Sequence, residues 1–264
     1  MKKLIILIAI IFSSNFLAIA QNSDIYFLLE KAGKQRMLCE QMTKNYLMIV
    51  TNQNADLAKI EIDQTKIEFN ENLNFLFRNL NTDLTKKTIS EISDKWLDLK
   101  DKIDADKNVS DCNIVLELSE NLSLVCNNLT NNIYRENDFK NARMINILNK
   151  QKLNSQKLIK FLLINNLENN DRNLTIKNIN EVIASYELNN QLLKGLTNTE
   201  INLKNLLSKN SIEWTLIKQN FDINNTKFKI EIAIENANKI LKLNNDFSNS
   251  LEIISLTNSV LTKR

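Results

Sequence analysis

Apolar positions recur along this chain at the spacing of one face of an α-helix. Ile89, Ile92, Trp96, Leu99 and Ile103 follow a 3-4-3-4 step. Leu118, Leu122, Val125 and Leu129 follow 4-3-4, and Trp214, Ile217 and Phe221 repeat the 3-4 step. Each set places one apolar stripe on a helix, with polar residues on the opposite face. Carried along the chain, the pattern predicts helices over 24–51, 55–80, 84–104, 110–136, 138–166, 172–195, 198–221 and 226–260. Asp171 and Thr197 stand where N-caps are needed. Thr197 with Glu200 fits a capping box, and Gly195 sits where a helix would end.

Composition strengthens the helical reading. The 264 residues contain no Pro and two Gly, Gly33 and Gly195. Sheets joined by tight turns need such residues, whereas long helices do not. The expected fold is therefore all-α. The stretch 110–166 has neither Gly nor Pro, which allows helices four and five to run on as one long central helix.

The eight helices read as two tandem four-helix-bundle units. Trp96 and Trp214 are the two tryptophans, 118 residues apart, and each falls late in the third helix of its set. Phe69 and Tyr186 lie 117 apart in second helices. First helices align at an offset of 116, where Lys34, Gln35, Lys44 and Leu47 meet identical residues at Lys150, Gln151, Lys160 and Leu163. The period is too long for a solenoid repeat, so two bundles in tandem are expected, over 21–136 and 137–264.

Residues 1–20 read as a leader. Lys2 and Lys3 precede the apolar run Leu4–Leu17, and Ala18-Ile19-Ala20 supplies the small-x-small pattern cut by signal peptidase. The alternative, an uncleaved anchor, needs a longer apolar run, since a span takes about 20 residues. Cleavage near Ala20 would place the protein in the periplasm or outside the cell, and no Cys follows the site to carry a lipid.

Charge and residue inventory exclude several classes of function. The formal charge is +3, and +1 without Lys2 and Lys3. Nucleic acid, which needs a basic face, is not an expected partner. His is absent, which removes the commonest general base and metal ligand. The carboxylates Asp98, Asp101, Asp104 and Asp106 lack the order and the Gly of a calcium loop. No enzyme activity, cofactor or metal is expected. The three cysteines, Cys39, Cys112 and Cys126, cannot all pair. Cys112 and Cys126 would stand about 21 Å apart on one helix, and buried free thiols are expected.

One run is distinctive: Ala32-Gly33-Lys34-Gln35-Arg36-Met37-Leu38-Cys39-Glu40-Gln41-Met42-Thr43-Lys44. Glycine inside a helix costs about 1 kcal/mol relative to alanine. In a chain so poor in glycine, Gly33 calls for a reason: close approach by a backbone or a ligand, or a local break in the helix. Arg36 lies one turn on, on the same face.

This run resembles the motif of the type IV pili methyl-accepting chemotaxis transducer N-terminal domain, the PilJ-like family. That motif reads roughly Ala-Gly-Arg-Gln-Arg-Met-Leu-Ser-Gln-Arg-Met-Ala-Lys. It is also similar to the P-box of NarX-type nitrate/nitrite sensors. Ala32, Gly33, Gln35, Arg36, Met37, Leu38, Met42 and Lys44 match directly. Lys34, Cys39, Glu40 and Gln41 replace Arg, Ser, Gln and Arg. A second copy over 146–160 keeps several polar positions, but has Asn149 for the Gly and Lys152 for the Arg.

The resemblance implies an exported helical sensor module in which Arg36 and Gly33 bind a small anion such as nitrate or nitrite. A guanidinium can give a planar oxyanion two parallel hydrogen bonds; the ammonium of Lys152 supplies charge without that fork. The family's signalling parts are not found in this chain, so a separate membrane receptor or signalling protein is the implied partner. Those sensors bind ligand at a dimer interface, which a tandem repeat could mimic within one chain or a homodimer could supply. Two alternatives stand beside this: Arg36 in a surface or interhelical ion pair, with Glu40 one turn on, and a structural or protein-interaction module without a ligand.

Overall fold

A computed structural model describes the backbone of residues 2–136, 141–167, 170–197, 200–219 and 230–261, and within those segments the side chains from 25 to 254. The elements are helices α1 (Lys2–Val50), α2 (Ala55–Asn79), α3 (Asp83–Asp104), α4 (Cys112–Glu136), α5 (Ala142–Asn165), α6 (Arg172–Leu196), α7 (Ile201–Gln219) and α8 (Ile230–Leu261), with a 3₁₀ turn at Val109–Asp111. The fold is an all-α bundle.

Most boundaries fall within a few residues of the predicted ones. α1 is the exception: it begins at Lys2 rather than 24, because the apolar residues expected as a leader continue the helix. Phe221 of the third stripe lies outside the described residues. Leu118 is only partly buried; Val115, Leu122, Val125, Cys126 and Leu129 carry the core face of α4. Among the described residues, no helix is long and apolar enough to cross a membrane.

Local chemistry sets the breaks. The α1–α2 turn places Asn52 and Asn54 in the left-handed region (φ 55° and 48°), which Asn tolerates better than other non-glycine residues. The Thr82 hydroxyl caps α3 by accepting from Thr85 N (3.3 Å), and Asp171 Oδ1 caps α6 by accepting from Leu174 N (3.1 Å). Two expectations fail at the end of α6. Gly195 is not left-handed and lies inside the helix. Thr197 ends α6, its hydroxyl donating to Leu193 O (2.9 Å) rather than capping α7. A threonine hydroxyl can serve either neighbouring helix, and here the preceding one takes it.

Helix directions follow from the contacts. Gln35 reaches Phe69 O and Lys44 reaches Glu61, so α1 and α2 are antiparallel. Arg36 meets Asn127, and Ser119 Oγ donates to Cys39 O (3.1 Å), so α4 also runs against α1. Trp96 Nε1 donates to Asn70 Oδ1 (2.8 Å) between α3 and α2. The pattern recurs in α5–α8, where Asn154 meets Ser185, Tyr186 meets Asn210, and Asn210 meets Asn244. Each set is thus an up-down-up-down unit. Each unit holds an aromatic pair in contact: Phe69 with Trp96 (centroids 4.5 Å, 33°) and Tyr186 stacked on Trp214 (3.6 Å, 8°).

α4 and α5 are not one continuous helix. α4 runs antiparallel to α1, whereas α5 runs parallel to it, with Glu30 against Lys152 and Glu40 against Lys157 and Lys160. The chain therefore reverses between Glu136 and Ala142, and the two units lie side by side along an extensive α1–α5 seam.

Candidate functional site

The seam has an approximate twofold character. Gly33 faces Asn149, its own equivalent at the 116-residue offset. On either side, Arg36 reaches Asn146 while Lys152, the equivalent of Arg36, reaches Glu30, the equivalent of Asn146. The structure thus brings all three residues singled out in the sequence, Gly33, Arg36 and Lys152, to one place between α1 and α5.

At Gly33 the two helices come too close to admit a side chain. A Cβ there would lie 2.6 Å from Asn149 Cγ and 2.8 Å from Asn149 Cβ. The amide of Asn149 fills that space, its Nδ2 donating to Leu29 O (3.3 Å), and its Oδ1 has no hydrogen-bond partner among the described residues.

Arg36 is 2% exposed, and its partners are neutral. Nη1 donates to Asn127 Oδ1 (2.6 Å) and Nη2 to Asn146 Oδ1 (3.4 Å); Nε has no partner. No carboxylate pairs with it among the described residues. Glu40, one turn on, instead pairs with Lys160 (2.6 Å) and Lys157 (3.7 Å) of α5. Burial pushes the Arg36 guanidinium down to about 10, with the neighbouring Cys126 thiol opposing the shift. A buried cation whose partners are only amide oxygens is held at a cost in solvation.

Lys152 is differently placed. It is fully buried and bonded to Glu30 (3.2 Å). Burial lowers its pKa, and Glu30 opposes that shift. Lys44 follows the same pattern against Glu61 (3.3 Å). Among the described residues, the buried Lys44, Lys152 and Lys160 each have a carboxylate within 4 Å, and Arg36 does not.

Cys39, Cys112 and Cys126 are free thiols and all are buried. Cys39 and Cys126 face each other between α1 and α4, and burial raises the Cys39 thiol well above its ordinary range. Among the described residues, no group of three or more His, Cys, Asp or Glu is placed to hold a metal ion.

Sequence reasoning did not identify Glu30, Asn127 or Asn146 as neighbours of the motif. The twofold relation of the first helices held a usable signal for Asn149, because a parallel pair puts equivalent residues opposite one another. Asn127 comes from a helix 91 residues away and leaves no periodic trace. Comparison with protein-family models, curated proteins and solved structures finds no match to this chain.

Proposed function

We propose that this chain is an exported helical binding module that takes a small oxyanion, with nitrate and nitrite as first candidates, against Arg36 in the seam between its two bundle units. One observation carries the reading: Arg36 is a buried guanidinium with amide partners, an unused Nε and no carboxylate among the described residues. Buried cations are ordinarily paired, and an oxyanion would supply both the missing charge and the acceptor. The Ala32–Lys44 run supports the same reading through its resemblance to the PilJ-like motif, and this run lies against residues 146–160 in the parallel α1–α5 pair. A ligand that favours one packing of the seam would shift its population by the difference in affinity, which a separate receptor could read. On this reading the protein is a sensor component of the periplasm or cell exterior, not an enzyme.

A second reading, a structural or interaction module without a ligand, is favoured by Asn149, whose side chain fills the space over Gly33. Thermal unfolding with nitrate, nitrite, sulfate and chloride separates the two. A ligand at 100 times its Kd adds about 2.7 kcal/mol. An anion-specific rise of several degrees, lost in Arg36→Met, supports the sensor. That variant should unfold no earlier than wild type without ligand, since it removes an uncompensated buried charge. No shift with any anion at tens of millimolar supports the structural module.

A further inference from the structure

Cys39 of α1 and Cys126 of α4 are fully buried free thiols on facing helices. Two hydrogen bonds fix the register of those helices. Arg36 Nη1 donates to Asn127 Oδ1 (2.6 Å), so residue 36 stands level with 127. Ser119 Oγ donates to Cys39 O (3.1 Å), and a helix carbonyl points one turn on, so residue 43 stands level with 119. Between these two points Cys39 falls level with the gap between Ser123 and Leu124. At 1.5 Å per residue it is about 4 Å along the axis from Cys126.

The side chains close that offset. Side chains on a helix tilt toward its N-terminus. In an antiparallel pair the tilts oppose, so Cys39 leans toward the level of Cys126, and Cys126 toward that of Cys39. Cys39 Sγ shows this direction, lying 3.2 Å from Gln35 O, one turn back. The helices are also close, because the short side chain of Ser119 reaches an α1 carbonyl. Packed helices lie about 8–10 Å apart, which leaves about 3–5 Å between Cα atoms on facing sides. Combined with the axial offset, the Cα separation is about 5–7 Å, the span of a disulfide.

We propose that Cys39 and Cys126 are a modification site, forming a disulfide that joins α1 to α4 when the chain folds in the presence of a disulfide oxidant. One cysteine thiolate attacks the oxidant and forms a mixed disulfide, releasing one thiol. The second cysteine attacks that mixed disulfide at the first cysteine's sulfur and releases the other thiol. The protein loses two electrons and two protons, and the oxidant is reduced to two thiols. An exported chain would meet such an oxidant as it folds; the chemistry does not depend on Arg36 binding an anion.

The register selects this pair. Cys112, nearer the start of α4, is about 17 Å along the axis from the level of Cys39 and stays free. The second unit has Ser155 and Asn244 at the equivalent positions, so the first unit alone can be bridged. Burial also sets the timing. It raises the Cys39 thiol well above its ordinary range and shuts out reagents, so the folded pair reacts slowly.

Refolding tests the site. The wild-type chain is unfolded in urea with reductant, then refolded with glutathione disulfide and glutathione. Remaining thiols are trapped with iodoacetamide and mapped by proteolysis and mass spectrometry. A linked Cys39–Cys126 peptide pair is expected, with Cys112 alkylated. The bridged form should melt several degrees above the reduced form, because the bridge closes a loop in the unfolded chain. Cys126→Ser should remove both the bridge and that rise. Reduced protein that is already folded should oxidise about tenfold more slowly, or slower still, in the same buffer. Alkylation of both Cys39 and Cys126 after refolding, a bridge to Cys112 instead, or a bridged form that melts below the reduced one overturns the proposal. Equal oxidation rates before and after folding overturn the role of burial in its timing.

Discussion

The side chain of Asn149 occupies the space that a Cβ on residue 33 would need. Its Cγ and Cβ lie 2.6 and 2.8 Å from that point, and the second of these atoms is fixed to the α5 backbone. Gly33 is thus the residue that sets how closely the two units approach.

Gly33→Ala should therefore destabilise the protein. The added methyl forces the helices apart, an overpacking cost of about 1–3 kcal/mol against a helix-propensity gain of about 1 kcal/mol. A net loss of up to about 2 kcal/mol is expected in urea denaturation, with favourable coupling to Asn149→Gly in a double-mutant cycle. Gly195 supplies the contrast. A Cβ there meets nothing within 4 Å, and its φ is not positive. Gly195→Ala should stabilise by about 0.5–1 kcal/mol. Stabilisation by Gly33→Ala would contradict this account of the seam.

Removing the partner of Lys152 should leave a buried charge unpaired. Breaking a buried pair costs about 3–5 kcal/mol; Glu30 is 17% exposed, so a loss of about 2 kcal/mol is expected for Glu30→Gln at pH 7. The pH dependence has a definite sign. Burial holds the folded-state pKa of Lys152 below its ordinary 10.5. Between those two values the unfolded chain binds more protons, so stability from this group rises with pH. Without Glu30 the folded value falls further and the window widens downward. The deficit of Glu30→Gln relative to wild type should therefore shrink between pH 7 and pH 10. Chemical denaturation at a series of pH values measures it, and a constant deficit would show that Lys152 stays charged or becomes solvated.

The second unit carries a polar chain in its core that the first lacks. The Tyr186 hydroxyl donates to Asn210 Oδ1, and Asn210 Nδ2 donates to Asn244 Oδ1 (2.6 Å). At offsets of 117, 118 and 118 residues the first unit has Phe69, Ile92 and Cys126, all buried. Tyr186→Phe alone leaves a buried acceptor unpaired and should cost about 1–2 kcal/mol. The triple change Tyr186→Phe, Asn210→Ile, Asn244→Cys copies the apolar set and should recover at least half of that loss. Thermal melting followed by circular dichroism reports both; a triple variant less stable than Tyr186→Phe would show that the two cores are not interchangeable.

The helices were legible because burial on one face of a helix repeats every three or four residues. Ile89, Ile92, Trp96, Leu99 and Ile103 are all buried as that spacing requires. The pairings Phe69–Trp96 and Tyr186–Trp214 were half legible. Separations of 117 and 118 residues marked Tyr186 as the counterpart of Phe69 and Trp214 as that of Trp96, and the structure adds contact. The end of α6 was misread because capping is a local competition for one hydroxyl, decided by the geometry of both helices rather than by residue type at Thr197. The long central helix was misread because nothing in residues 110–166 forbids continuity; the reversal follows from α4 and α5 packing on α1 in opposite directions.

For the site, the sequence by itself determined that a glycine and an arginine share a helix face, and that a degraded copy with Asn149 and Lys152 follows 116 residues later. Tertiary structure alone decided that the two copies lie parallel, that Asn149 packs on Gly33, and that Glu30 and Glu40 neutralise lysines while Arg36 receives only amides. Periodicity along a chain encodes which face is buried. The partner that meets a buried charge comes from a different helix, at a register fixed by packing, and no local pattern records it.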